Sequence, residues 1–139
     1  MFYKKFGDDI VIRLEIGEDV VTSVAKVCDA EKVKLGSVTG LGAVDHVVVG
    51  LYKVAEKKYY SNTFDGEMEM SSLVGNVTTK EGNTYLHFHA TFAGADGKVI
   101  GGHLNEAKVS ATAEIFLHII HGEVDRIVDD HTGLNVIKM

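Results

Sequence analysis

Proline and tryptophan are both missing from the 139 residues, and Cys28 is the only cysteine. A lone thiol excludes a disulfide framework and a cysteine-rich zinc module, and it fits a reducing compartment such as the cytoplasm. Without proline there are no Pro-rich linkers, and no minor-groove hook with an Arg-Gly-Arg-Pro core can be built. Arginine is scarce as well, with Arg13 and Arg126 the only examples. Twenty acidic against fourteen basic residues give a net charge of −6. Non-specific nucleic-acid binding depends on Lys and Arg displacing phosphate counterions, so this balance argues against it. No run approaches the ~18 apolar residues of a membrane span. The first residues also lack the apolar run and cleavage site of a secretory signal. A hydrophobic fraction of 45% then predicts one soluble, cytoplasmic globular domain over residues 1–139.

What is present reads mostly as strand. Residues 10–16 alternate apolar and mixed side chains. After Gly17, Val20, Val21, Val24, Val27 and Cys28 recur at helical spacing, which predicts one main helix over about residues 19–31. Asp19 is its expected N-cap. Cys28 falls on the apolar stripe of that helix, so a buried, unreactive thiol is expected. Residues 44–54, 69–79, 84–92 and 109–120 are strand-like, and Glu81-Gly82-Asn83 and Asp96-Gly97 read as hairpin turns. The expected class is therefore α+β, a mostly antiparallel β-sheet with a single helix.

Gly40-Leu41-Gly42-Ala43-Val44-Asp45 looks at first like a phosphate-binding glycine loop. Its third glycine is missing and a strand follows, so no helix N-terminus is available to hold a phosphate. A turn or bulge between strands is the expectation.

The histidines carry more information. In residues 84–92, Leu86, Phe88, Ala90 and Phe92 form an apolar face, so Tyr85, His87, His89 and Thr91 share the opposite one. Imidazoles at i and i+2 stand roughly 7 Å apart at their bases and can converge on one ion. The turn at Asp96-Gly97 brings back a strand on which His103 can join that polar face, with Gly101 leaving room beside it. Three neutral imidazoles suit a divalent transition metal with a fourth position open. In residues 109–119 the odd positions Val109, Ala111, Ala113, Ile115, Leu117 and Ile119 are apolar. That sets Ser110, Thr112, Glu114 and His118 on the other face. Glu114 is a possible fourth ligand or a group orienting one of the histidines. On the pattern alone, a histidine face that is merely solvated or packed at an interface is the better supported reading, since no HExxH helix or Cys ligand accompanies it. His46, His121 and His131 show no such spacing and read as surface residues. Ser71-Ser72 lacks a nucleophile elbow, and Glu67 with Glu69 reads as a solvated edge, so no catalytic motif is supported.

Four segments together resemble the PPC (plants and prokaryotes conserved) domain, known from AT-hook nuclear proteins. They are residues 66–76 (Gly-Glu-Met-Glu-Met-Ser-Ser-Leu-Val-Gly-Asn), 86–90 (Leu-His-Phe-His-Ala), 97–104 (Gly-Lys-Val-Ile-Gly-Gly-His-Leu) and 109–114 (Val-Ser-Ala-Thr-Ala-Glu). Gly17-Glu18-Asp19 and Gly40-Leu41-Gly42-Ala43 also fit. The resemblance spans essentially the whole chain. It implies an antiparallel α+β domain that assembles as a homotrimer, in a family described as DNA-binding. It further implies that His87, His89 and His103 occupy the family's histidine positions, where some prokaryotic members look like a metal site, with zinc the first choice.

Two departures bear on function. The chain has no AT-hook. The partner-recruiting stretch of plant members, Gly-Arg-Phe-Glu-Ile-Leu, reads here Gly66, Glu67, Met68, Glu69, Met70 and Ser71. Its arginine has become Glu67, a reversal that repels an acidic partner surface. Two functions remain: a trimeric assembly module working through itself or a protein partner, and a metal-dependent enzyme or small-molecule binder using the histidines.

Overall fold

The computed structural model describes residues 1–139. Strands β1 (Phe2–Phe6) and β2 (Asp9–Glu15) lead into helix α1 (Val20–Glu31). The long strands β3 (Gly36–Lys53), β4 (Lys58–Lys80), β5 (Asn83–Ala93) and β6 (Val99–Ile119) follow, and a small hairpin of β7 (Arg126–Val128) and β8 (Asn135–Ile137) ends the chain. The main sheet has the order β1-β2-β6-β3-β4-β5 and is antiparallel throughout. The start of β6 also pairs with β5, so β3, β4, β5 and β6 close into a ring. The expected α+β class, with one main helix on an antiparallel sheet, is what the chain forms. That helix is not long and apolar enough to cross a membrane.

Helix α1 starts where Asp19 caps it, its Oδ1 accepting the Thr22 N–H at 2.8 Å. The other carboxylate oxygen accepts the Ala107 N–H of β6 at 2.9 Å, so one side chain ties the helix start to the sheet. Val20, Val24, Val27 and Cys28 are fully buried, and the helix packs on β2, β5 and β6. Ile10, Ile12 and Leu14 of β2 join Ile115 and Leu117 of β6 in the same core. Phe88 and Phe92 of β5 are its largest side chains. Burial pushes the Cys28 thiol up to about 12, so it stays protonated and unreactive, as its place on the apolar stripe predicts.

A bulge in β6 sets the direction of the site. Leu104 pairs with Val49 and Glu106 with Val48, so Asn105 is an extra residue without a partner. Before it the even residue Leu104 is buried; after it the odd residues Ala107 and Val109 are. His103 can thus face away from the core on a strand whose later odd positions form the core. A second irregularity between Val109 and Ala113 turns Ala111 outward. Ala111 is exposed, contrary to its apolar alternation.

Strands β3 and β4 are far longer than residues 44–54 and 69–79, the spans their β-branched stretches predict. Residues 40–45 lie inside β3, which shows register shifts between Gly40 and Gly42 and between Val44 and His46. The segment is a bulged strand interior, not a junction between strands. Gly42 is needed there because a Cβ would sit 2.6 Å from that of Ala113 on β6. Strand β1 was not expected; all five of its residues are exposed, so no alternation marks it.

Candidate metal centre

Phe88, only 1% exposed, is driven into the core, and the flanking His87 and His89 are thereby turned to the opposite face of β5. His103 is the cross-strand partner of His89 in the β5–β6 pairing. The ring centroids lie 5.2 Å apart for His87–His89, 5.2 Å for His87–His103 and 5.7 Å for His89–His103. One nitrogen from each ring lies within 4.8 Å of those of the other two. Their close approach depends on Gly101, whose Cβ would stand 2.4 Å from the Ala90 carbonyl oxygen.

His87 and His103 are half-buried and His89 is exposed, so the cluster sits in the sheet surface with one side open. Burial lowers the pKa of His87, aided by the charges of His103, Arg126 and His89. Burial and then His89 lower that of His103. Both imidazoles are held neutral at pH 7, the form that binds metal. Tetrahedral zinc with Zn–N bonds of about 2.0–2.1 Å needs nitrogens about 3.3 Å apart. Side-chain rotations of an ångström or so bring these rings to that spacing, so the donor set fits a borderline-soft divalent ion.

Other groups surround the cluster. Tyr59 meets His103 edge-on at a centroid distance of 6.0 Å. Its phenol lies over Gly50, the β3 partner of His103, where any Cβ would collide with it. Beside His87 lies the buried Arg126, which donates to Asn76 Oδ1 at 2.9 Å; Asn76 is the cross-strand partner of His87. Sequence reasoning missed Tyr59 and Arg126 because each comes from a distant segment with no spacing relation to the histidines. The scarcity of arginine was the one available signal.

Glu114 is not part of this group. It pairs with Arg13 on β2 and Leu41 on β3, eleven residues (114 − 103 = 11) beyond His103 on the same strand. That is roughly 35 Å of extended chain, too far for a ligand or for a group orienting a ligand within one chain. Residues 99–104 and 109–119, read as two successive strands, form the single strand β6, so the alternation set Glu114 on the polar face but far along it from His103. Residues 66–71 lie on β4, where Met70 is buried while Gly66, Glu67, Glu69 and Ser71 are exposed and Met68 is half-buried. His46, His118 and His121 each bond a carboxylate, Asp65 at 2.6 Å, Asp9 at 2.9 Å and Asp8 at 2.8 Å respectively. His131 is exposed.

A strand ring with one packed helix and three convergent imidazoles defines a small α+β domain with a histidine site. The chain belongs to the Plants and Prokaryotes Conserved (PCC) domain family, whose family model matches residues 1–121. Three solved structures illustrate the likeness. One is a candidate DNA-binding protein from Bacteroides thetaiotaomicron, 26% identical, with a TM-score of 0.96 over 99% of this chain and 96% of that one. Another is a metal-containing protein from Archaeoglobus fulgidus, 30% identical, with a TM-score of 0.90 over 100% of this chain and 99% of that one. The third is a plant- and prokaryote-conserved protein from Pyrococcus horikoshii, 28% identical, with a TM-score of 0.88 over 99% and 95% of the two chains. No curated protein matches the chain in sequence.

Proposed function

We propose that this PCC-domain chain binds one divalent metal ion, zinc by first choice, through His87, His89 and His103, and works as a homotrimeric assembly module. The convergence of three imidazole nitrogens within 4.8 Å carries the metal reading. The metal-containing relative from Archaeoglobus fulgidus supports it. When bound, such an ion acts as a Lewis acid toward a ligand on its open side. The chain itself holds His87 and His103 neutral by burial, keeps the rings together through Gly101, and leaves His89 facing solvent.

Self-association is supported by the outer face of the sheet, where Phe2, Phe6, Leu41, Val74 and Phe116 are all large, apolar and exposed. A cytoplasmic setting suits the single thiol. Relatives are named as candidate DNA-binding proteins, yet direct DNA binding is a weak reading for this member. A trimer carries 3 × (−6) = −18, which opposes a phosphate backbone. A regulatory role then runs through self-association or a protein partner at residues 66–71.

The second reading, a metal-dependent enzyme or small-molecule binder, is favoured by the open side of the cluster at His89. Elemental analysis of protein purified without chelator or a nickel column tests the metal. About one equivalent per chain, lost in His87→Ala/His89→Ala, is the expected result; a content near zero in both overturns it.

A further inference from the structure

Arg126 is one of two arginines in an acidic chain, and it is buried beside the histidines, 6% exposed. Its guanidinium donates from Nε to Thr78 Oγ1 at 2.8 Å, from Nη1 to the Asn135 carbonyl at 2.8 Å and from Nη2 to Asn76 Oδ1 at 2.9 Å. Tyr85 lies under it, with the ring centroid 4.6 Å away. All these partners are neutral. The neighbouring Asp125 is turned to Thr79 Oγ1 and the Glu81 N–H, at 3.3 and 3.2 Å. Arg126 takes part in none of the chain's ion pairs. A full positive charge is thus held out of water without a counter-charge, an arrangement that costs free energy.

Its location gives that charge a use. Asn76 is the cross-strand partner of His87, and Tyr85 precedes His87 by two residues on the same face. The guanidinium therefore stands about one or two strand positions, roughly 7–10 Å, from the histidine cluster. The cluster contains no Asp or Glu. Three neutral imidazoles leave the charge of a divalent ion unreduced, and Arg126 adds one more positive charge.

We propose that Arg126 is a fixed field source that makes the histidine site a receptor for a small anion of the carboxylate class. It acts through space, since its side chain is already engaged with Thr78, Asn135 and Asn76. The inner contact rests on the metal reading above; the charge preference rests on Arg126 itself. At an effective dielectric near 20, a unit charge at that range changes the affinity of a monoanion by roughly 20- to 50-fold, and screening at the open side of the cluster brings this to about tenfold. A neutral ligand of the same shape gains nothing.

The test titrates Co²⁺-loaded protein with acetate and with its neutral isostere acetamide at constant ionic strength, followed by the Co²⁺ visible spectrum and by calorimetry. Arg126→Gln should weaken acetate about tenfold and leave acetamide unchanged, while Arg126→Lys keeps most of the acetate affinity. Unchanged acetate affinity in Arg126→Gln overturns the proposal, as does equal weakening of acetate and acetamide, which marks a purely structural role. A chain that takes up no Co²⁺ overturns the metal site alone. The anion preference is then read in metal-free protein from acetate-induced NMR shifts of the His87 ring. Those shifts should be present in wild type and lost in Arg126→Gln; their absence in wild type overturns the proposal.

Discussion

His89 and His103 are cross-strand partners with ring centroids 5.7 Å apart, in the pairing by which β6 joins β5 and closes the four-strand ring. Closure of the sheet and assembly of the site are therefore one event. An open sheet would leave His103 beside Gly50 on β3 and far from β5.

Gly101 is where that closure is most easily broken. A Cβ there would stand 2.4 Å from the Ala90 carbonyl oxygen and 3.1 Å from a Thr91 methyl. Gly101→Ala should destabilise the protein by about 1–3 kcal/mol in urea. Because the strand must move away from β5, zinc affinity should also fall at least tenfold. Loss of stability with unchanged zinc affinity would show that the pairing does not set the site.

Asp19 joins the helix start to the sheet by accepting from Thr22 and Ala107 at 2.8 and 2.9 Å. Asp19→Ala should cost about 1–2 kcal/mol in a urea melt. Asp19→Asn keeps one oxygen acceptor and should recover part of that. Equal melting midpoints for Asp19→Ala and wild type would count against the double role.

His46 is raised in pKa, chiefly by its bond to Asp65, with the charges of Asp65 and Glu106 adding to it. A folded pKa above the unfolded value near 6.5 means the added stability is fully present below that pH. It is lost as pH rises through the folded value. The stability gap between wild type and Asp65→Asn should therefore be largest near pH 5.5 and shrink by pH 8.5. A gap that grows with pH would contradict the assignment.

The acidic charge makes a prediction of its own. Fluorescence anisotropy with an AT-rich duplex should show no sub-micromolar binding at physiological salt. Tight binding that weakens steeply with salt would place a basic patch on the assembled surface.

The readable parts of the fold were those with a strict period. Leu86, Phe88, Ala90 and Phe92 forced His87 and His89 to one face, and burial follows that alternation. Helix α1 was legible from Asp19 and its valines. Glycines hid the first half of β3, because Gly36, Gly40 and Gly42 lower strand propensity where strands pass too close for a Cβ. The first half of β4, in contrast, is exposed at nearly every position and so shows no alternation. Glu114 was misplaced because alternation reports a face and says nothing of position along a strand of 21 residues. Arg126 belongs to a short hairpin whose β-strands have three residues each, too short for any period to show.

Diffraction from crystals grown without chelator, recorded on both sides of the zinc absorption edge, tests the central claim most directly. An anomalous peak bonded to His87, His89 and His103, present above the edge and lost below it, is the predicted result. Well-ordered histidine rings with no peak among them would contradict the metal centre on which this account stands.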